Sequence, residues 1–297
     1  MQNKLTAALM IGLLAFTAAC NQNSGSGKKI KLKSGIEYQL VTDAGARKAK
    51  HGDYVTVHVT QRNHKDSVVG SSYQRENKPI VVRIDTAMFK NKVQEVFNFM
   101  GAGDSLLIWE ESDSIFKGGP YDQRPPFIPK GTKIAYGIKV VKVESPTEMW
   151  DNYKKDHKLT NTVKTASGLE YQITQQGTGP LAASGDSVLV GYQGKFFDDK
   201  EFDASKPGAP YGLLVDRGRV IKGWDEFLMT VPEGTKATLM IPYDLAYGAQ
   251  GYPGGIPPFT PLVFEMDLVK VFPKGAGAAP KGAEPKAAVE DHKGHKH

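Results

Sequence analysis

Residues 166–186 read ASGLEYQITQQGTGPLAASGD, and residues 33–53 read KSGIEYQLVTDAGARKAKHGD. Both stretches open on Ser-Gly-Ile/Leu-Glu-Tyr-Gln and close on Gly-Asp with the same internal spacing. The second copy follows the first at an offset of 133 residues. Self-similarity at a fixed offset indicates a repeated structural unit. The sequence therefore predicts two homologous domains, which a chain of 297 residues can accommodate.

The residues around this repeat predict the fold class. Each Gly-Asp is followed by alternating apolar and polar residues, at 54–59 and 187–192, which is typical of a half-buried strand. Later in each copy, apolar residues recur at helical spacing and predict one short amphipathic helix. Those residues are Phe89, Val93, Val96, Phe97 and Met100 in the first copy and Ile221, Trp224, Phe227 and Leu228 in the second. Each copy closes on a β-rich run, at 133–143 and 261–272. The expectation is an α+β fold in which mostly antiparallel strands surround one helix per copy.

Composition divides the rest of the chain. We expect a signal peptide at 1–19, a flexible tether at 20–28, the first domain at 29–143, a linker at 144–165, the second domain at 166–273 and a tail at 274–297. The linker is polar but contains Met149, Trp150 and Tyr153, so it is either an open connection or a helix lying against one domain. The tail is rich in Gly, Ala, Pro, Lys and His and has no large apolar residue, which predicts disorder.

The first twenty residues predict export. Lys4 precedes an apolar run from Leu5 to Phe16, which is too short to span a bilayer, and small residues lead to Cys20. Cys20 is the only cysteine, so an intramolecular disulfide is excluded. The arrangement resembles a bacterial lipoprotein signal, which implies a lipidated Cys20, a membrane tether and a location in the bacterial cell envelope, facing the periplasm. A plain cleaved signal peptide and an uncleaved anchor are the alternatives.

The two copies differ in charge. Residues 28–143 contain 20 basic and 12 acidic residues, whereas residues 166–273 contain 8 basic and 13 acidic residues. The formal charges are therefore +8 and −5. A basic first domain could be attracted to an anionic lipid surface, or the opposite charges could favour docking of the two domains. A nucleic-acid partner is not expected, because the chain is predicted to be exported and its basic residues form no aromatic-spaced arginine stripe.

The second copy carries short sequence blocks that point to one family. In order they are Gly185-Asp186, Tyr192-Gln193-Gly194, Phe202-Asp203-Ala204-Ser205, Val220-Ile221-Lys222-Gly223-Trp224, Ile241-Pro242, Leu245-Ala246-Tyr247-Gly248 and Ile256-Pro257-Pro258. With these blocks, residues 168–272 resemble the FKBP-type peptidyl-prolyl cis–trans isomerases. The resemblance implies a bent antiparallel sheet around one helix, a pocket between helix and sheet, and no cofactor or metal ion.

The resemblance also implies the site residues. It assigns catalytic roles to Asp203 and Tyr247, and a substrate contact to the backbone N–H of Ile256. The substrate-binding residues that it implies are Tyr192, Phe202, Tyr211, Val220, Ile221, Trp224, Tyr252, Ile256 and Phe264. Taken singly, each has a plainer interpretation: the apolar residues as core, Asp203 as a turn residue, and Tyr247 as a strand-end tyrosine.

An apolar aromatic pocket suits prolyl isomerisation physically. The prolyl amide is planar because of resonance, with a rotation barrier of ~18–20 kcal/mol, and rotating it breaks no bond. A site that is complementary to the twisted, less polar amide lowers that barrier without a nucleophile or a metal ion. We therefore expect an isomerase that acts on proline-containing, unfolded or partly folded exported proteins. The alternatives are a non-catalytic peptide-binding chaperone and an assembly lipoprotein that uses both domains as interaction surfaces.

The first copy is predicted to lack the pocket. Aligned with the second copy, it has Val59 opposite Tyr192, Val69-Gly70 opposite Phe202-Asp203, Val93 opposite Trp224 and residues 114–117 opposite Leu245–Gly248. Only Ile128-Pro129 and Tyr136, which lies opposite Phe264, are retained. The first domain is therefore expected to be a degenerate scaffold without the active site. Its role would be to hold peptides, to dock, or to space the second domain from the membrane.

Two further groups of residues could suggest a metal site. His292, His295 and His297 could chelate a divalent ion weakly, since imidazole is a common ligand. Asp198, Asp199 and Glu201 are interpreted as a solvated acidic turn. The sequence therefore predicts no functional metal site.

Overall fold

The structure is a computed structural model that describes residues 27–32, 35–74, 77–85, 92–116, 124–253 and 255–275. The predictions for Cys20, for the histidines of the tail and for Phe89 lie outside these residues. No helix within the described ranges has the length and apolar character needed to cross a membrane.

The first sheet contains seven strands. They are β1 (Ile30–Lys31), β2 (Glu37–Thr42), β3 (Tyr54–Arg62), β4 (Val68–Ser71), β5 (Ile80–Arg83), β6 (Ser105–Glu111) and β7 (Lys133–Glu144). Their order is β1-β2-β6-β7-β3-β4, with β5 also paired to β3. A 3₁₀ helix (Lys92–Phe99) and a one-turn helix α1 (Ser112–Ile115) flank β6 in sequence.

The second sheet has the same construction. Its elements are α2 (Pro146–Asp156), β8 (Val163–Lys164), β9 (Glu170–Gln175), β10 (Ser187–Lys195), β11 (Glu201–Ala204), β12 (Tyr211–Leu214), α3 (Lys222–Thr230), β13 (Lys236–Ile241), a 3₁₀ turn (Tyr243–Leu245) and β14 (Leu262–Phe272). The strand order β8-β9-β13-β14-β10-β11, with β12 on β10, repeats that of the first sheet. The predicted α+β class, with two similar antiparallel sheets and few helices, is confirmed.

The register of the two sheets matches residue by residue around β3 and β10. Gln61 pairs with Gly70 as Gly194 pairs with Asp203, and the same irregularity follows in both strand pairs. Two residues earlier on β3, the Val59 carbonyl accepts a hydrogen bond from Ser72 N at 2.9 Å. At the matching place on β10, the Tyr192 carbonyl accepts one from Ser205 N at 2.9 Å. Gly70 therefore occupies the position of Asp203, and Val59 that of Tyr192.

The two predicted helices differ in outcome. Helix α3 buries Trp224, Phe227 and Leu228 on one face, as the helical spacing predicted. In the first copy the predicted amphipathic α-helix is instead a 3₁₀ helix, although Val96 and Phe97 are buried. β-Branched and aromatic residues lose side-chain freedom in an α-helix, which weakens the α-helical preference of this segment.

The predicted linker contains a helix that packs on the second sheet. Helix α2 begins with a capping box, in which Ser145 Oγ accepts from Glu148 N at 3.2 Å and Glu148 Oε2 accepts from Ser145 N at 2.7 Å. Tyr153 on α2 packs with Met240 and Val263, which have no exposed surface. Of the two alternatives left open by the sequence, the structure has the helix lying against a domain.

Polar contacts fasten α2 to the second sheet. Lys154 Nζ lies 2.9 Å from Oε1 of the buried Glu170, which also accepts from Thr162 Oγ1 at 2.6 Å. His157 Nε2 lies 2.9 Å from Asp199 Oδ1. Asp199 is exposed in a turn, as the interpretation of a solvated acidic turn expects, and it also bonds to α2.

The chain forms two compact units, and their bounds do not coincide with the two sheets. One compact unit falls within residues 1–47, 58–79 and 100–141, and the other within residues 48–57, 80–99 and 142–297. The second unit contains the core of the second sheet, in which Phe227, Leu228 and Leu239 have no exposed surface. It also contains the first part of β3 and all of β5.

Candidate active site

The second unit contains an open cleft where α3 approaches β10, β11 and β14. Eight side chains line it: Tyr192, Phe202, Asp203, Val220, Ile221, Trp224, Tyr247 and Phe264. All eight are among the eleven site residues expected from the sequence. Five of them stand on β10, β11, α3 or β14, whereas Val220, Ile221 and Tyr247 lie in the segments next to α3 and to the 3₁₀ turn.

Aromatic rings form most of the cleft. Trp224 is only 3 % exposed, and its ring centroid lies 4.9 Å from Tyr192 and 5.1 Å from Phe264 in edge-to-face geometry. Phe202 stands perpendicular to Phe264, with a centroid distance of 5.7 Å. Among the described residues no acceptor meets the buried Trp224 Nε1–H. Edge-to-face packing of this kind fixes ring positions and gives a stiff apolar surface.

A glycine makes the meeting of these rings possible, and sequence reasoning gave it no role. A Cβ at Gly194 would stand 2.7 Å from ring atoms of both Phe202 and Phe264. Contacts that short do not occur between real side chains, so any larger residue would move the two rings. The signal was present in Tyr192-Gln193-Gly194, because the first copy has Gln61 at this position.

Asp203 is the single carboxylate in the lining of the cleft. Its Oδ2 accepts a hydrogen bond from the Tyr192 hydroxyl at 2.9 Å, and its Oδ1 accepts from Ala204 N at 3.1 Å. Burial, and then the hydrogen bond and charge of Asp203, raise the pKa of Tyr192 well above its usual range. Tyr192 therefore stays protonated and donates, which leaves a negative charge oriented at the rim of an apolar cleft.

Tyr247 supplies a second hydroxyl. Burial raises the pKa of Tyr247 and the nearby charge of Asp203 raises it further, so the phenol stays protonated at neutral pH. The ring centroid of Tyr247 lies 5.4 Å from that of Tyr252, which places this loop residue beside the cleft. A protonated phenol in the lining can donate to a carbonyl oxygen of a bound peptide.

The three remaining expected residues do not line the cleft directly. Tyr211 packs edge-on behind Tyr192 at 6.5 Å, and Tyr252 packs on Tyr247. The Ile256 N–H, expected to contact substrate, donates to the Tyr252 carbonyl at 3.1 Å. A substrate contact at Ile256 N–H stays a prediction and requires that this bond open.

The first sheet presents different groups at the matching positions. Val59 and Gly70 stand where Tyr192 and Asp203 form their hydrogen bond. The register of β7 gives Tyr136 the position of Phe264, and the Tyr136 hydroxyl is hydrogen-bonded to the Gln61 side chain. Burial raises the pKa of Tyr136 to about 12. Polar contacts thus replace the paired rings and the carboxylate at this site.

Comparison with known proteins bears on this cleft. A family model for the FKBP-type peptidyl-prolyl cis-trans isomerases matches residues 179–269, a range that includes every residue lining the cleft. The second sheet is an FKBP domain. The family resemblance carried by the sequence blocks is confirmed over these residues.

Relatives of the FKBP domain come from several bacteria. The Escherichia coli K12 FKBP-type peptidyl-prolyl cis-trans isomerase FkpA is 41% identical over 138 residues, which are 46% of this chain and 50% of that protein. The FKBP-type 22 kDa isomerase of the same strain is 44% identical over 108 residues, 36% of this chain and 52% of that protein. This chain thus spans about half the length of these curated relatives.

A solved structure also matches. The peptidyl-prolyl cis-trans isomerase of Pseudomonas syringae pv. tomato is 37% identical to this chain, with a TM-score of 0.37. The match covers 41% of this chain and 90% of that protein.

Proposed function

We propose that this chain is a peptidyl-prolyl cis–trans isomerase that assists the folding of exported proteins. The observation that carries the proposal is the aromatic cleft over Trp224, with one oriented carboxylate and one phenol at its edge. Uncatalysed prolyl isomerisation takes tens to hundreds of seconds, which is slow enough to limit the folding of a chain. Catalysis of that step is therefore useful wherever unfolded chains arrive.

The cleft acts by favouring the twisted amide. Water stabilises the planar, charge-separated amide by hydrogen bonding, and the rings of Tyr192, Trp224 and Phe264 exclude it from the bound prolyl bond. The proline ring packs on the flat indole of Trp224. The twisted amide is less polar than the planar one, so an apolar enclosure stabilises it selectively.

The polar groups orient the peptide in this scheme. The Tyr247 hydroxyl donates to a substrate carbonyl, and the Asp203 carboxylate faces the bond that rotates. Tyr192 holds Asp203 in place through its 2.9 Å hydrogen bond. Because no covalent bond forms or breaks, these groups contribute by position and electrostatics alone.

The direct test measures cis–trans exchange of a short Xaa-Pro peptide by NMR with the full chain. We expect acceleration by the wild type and a reduction of about tenfold in kcat/KM for Asp203→Asn and for Tyr247→Phe. One hydrogen bond contributes on the order of 1 kcal/mol, more when a charge is involved. Asp198→Asn, in the turn before β11, and Tyr171→Phe, which packs on Phe227, are matched controls expected to keep full activity. No acceleration by the wild type overturns the proposal.

The membrane tether is a separate part of the proposal and rests on residues 1–20. Lipid chains on Cys20 hold the isomerase at a membrane of the bacterial cell envelope, where exported chains emerge. Expression of the full precursor should give protein in the membrane fraction, released by detergent and not by salt. Cys20→Ser should move it to the soluble fraction. Equal membrane association of both forms contradicts lipid anchoring.

A second candidate is a peptide-holding chaperone that uses both sheets. The first sheet favours it, because it keeps the strand order of the FKBP domain while its matching positions carry Val59 and Gly70. Suppression of aggregation of an unfolded client by the Asp203→Asn variant, at the wild-type level, supports holding independent of isomerisation.

A further inference from the structure

The loop after the 3₁₀ turn at Tyr243–Leu245 carries two expected substrate contacts, Tyr252 and Ile256. Hydrogen bonds among Tyr243, Gly248 and Phe259 join the two ends of this loop, and these three residues are called the neck. Phe259 N donates to the Gly248 carbonyl at 3.0 Å, and Gly248 N donates to the Tyr243 carbonyl at 2.7 Å. Within the loop, Tyr252 N donates to the Ile256 carbonyl at 2.8 Å. The position of the loop beside the cleft thus depends on how Phe259 is held.

Phe259 sits in an unfavourable backbone conformation. Its φ is +56°, in the left-handed region that bulky side chains rarely adopt, and it is only 8 % exposed. Such a conformation is strained and persists only where surrounding contacts hold it. The neck therefore requires partners beyond its own two hydrogen bonds.

Those partners come from β3 and β5. Tyr54, the first residue of β3, is 4 % exposed and donates its hydroxyl to the Phe259 carbonyl at 3.3 Å. The Arg83 guanidinium, at the end of β5, lies 4.8 Å from the centroid of Tyr243 and 5.2 Å from that of Phe259. These residues belong to the same compact unit as residues 142–297.

The surroundings of the Arg83 guanidinium and of the Tyr54 hydroxyl keep both groups in these contacts. Arg83 Nη1 lies 3.0 Å from Asp85 Oδ2, and both side chains are largely buried, so the guanidinium is fixed in place over the two rings. Burial raises the pKa of Tyr54 to about 12, so its hydroxyl remains a donor throughout the neutral range. A guanidinium over aromatic faces is an attractive contact that strengthens when shielded from water.

We propose that Tyr54 and Arg83 are positioning residues for the isomerase: they clamp Tyr243 and Phe259 and so hold the loop that carries the expected substrate contacts, residues 248–253 and 255–259, beside the cleft. The catalytic consequence rests on the proposed function, whereas the clamp itself does not. The first half of the repeat thereby contributes to the site in the second half.

The test uses the full chain and two conservative variants. Tyr54→Phe removes only the hydroxyl, and Arg83→Lys keeps a positive charge near Asp85 but loses the planar group that stacks on the rings. Amide hydrogen exchange is measured at residues 248, 252, 256 and 259 and, as an internal reference, along β13. Tyr73→Phe is the matched control, because Tyr73 is exposed and stacks on His58.

We expect exchange at the loop amides to rise by about three- to tenfold in both variants, as loss of one hydrogen bond or cation–π contact allows. Exchange along β13 should stay at the wild-type rate, and KM for a Xaa-Pro peptide should rise with little change in kcat. Unchanged loop exchange in both variants overturns the clamp. Equal acceleration in the loop and in β13 also overturns it, because that result indicates general destabilisation. A wild-type chain without isomerase activity refutes the proposed function, while the exchange data still decide the clamp.

Discussion

The two sheets share strand order, but the matching positions on β3, β4 and β7 carry other residues than the cleft residues on β10, β11 and β14. Where the second sheet has Tyr192, Gly194, Asp203 and Phe264, the first has Val59, Gln61, Gly70 and Tyr136. The substitutions leave the hydrogen-bonded framework unchanged, because the backbone bonds at Val59 and Tyr192 have the same partners and lengths. The same framework therefore carries different side chains in the two sheets, and the cleft of the second sheet depends on the side chains placed upon it.

The largest expected effect comes from moving one first-sheet residue into the second sheet. Gly194→Gln places a side chain where Phe202 and Phe264 meet, with the Cβ 2.7 Å from each ring. We expect kcat/KM to fall by more than about 100-fold, because the rings must separate and the cleft loses its shape. Peptide isomerisation by the variant, with its thermal unfolding recorded in parallel, measures both consequences.

The control for this substitution lies on the same strand. A Cβ at Gly191 would meet only Asp267 Cβ at 3.5 Å, which is an ordinary contact. Gly191→Ala should therefore keep its activity within about twofold. If Gly194→Gln is as active as Gly191→Ala, the ring packing is not what forms the site.

These positions also show what the sequence could predict. The repeat and the strand alternation are local patterns that predicted the α+β class, and the family resemblance carried by the sequence blocks implied the eight residues that line the cleft. The role of Gly194 was missed because it depends on how close two rings on β11 and β14 approach. The clamp at Phe259 was missed because Tyr54 lies 205 residues away in sequence.

Helix α2, which packs on the second sheet, gives the next largest expected effect. It buries Met149 and Tyr153 and brings Lys154 to the buried carboxylate of Glu170. Fragment 166–273 should be less stable than fragment 145–273 by about 2 kcal/mol, because Met240 and Val263 become exposed and Glu170 loses its partner. Urea unfolding of the two fragments measures this difference, and equal midpoints contradict an integral role for α2.

The smallest expected effect concerns the pair Tyr136 and Phe264. The pKa of Tyr136 is raised to about 12 by burial, so its contribution to stability is complete below pH 10 and is lost as the pH rises from 10 to 12. Tyr136→Phe should abolish this loss, because phenylalanine, which the second sheet has at the matching position 264, has no ionisable group. Between pH 9 and pH 11 the variant should retain up to about 1 kcal/mol more of its unfolding free energy than the wild type, less any screening by solvent. Identical pH dependence of the two proteins contradicts this account.

The most direct test of the central claim separates the two copies. Cis–trans exchange of a Xaa-Pro peptide is measured with fragment 145–273, with fragment 29–143 and with the full chain. The account predicts that fragment 145–273 accelerates exchange, within about tenfold of the full chain, while fragment 29–143 leaves the uncatalysed rate unchanged. Acceleration by fragment 29–143, or none by fragment 145–273 when it is folded, would contradict the assignment of the activity to the cleft over Trp224.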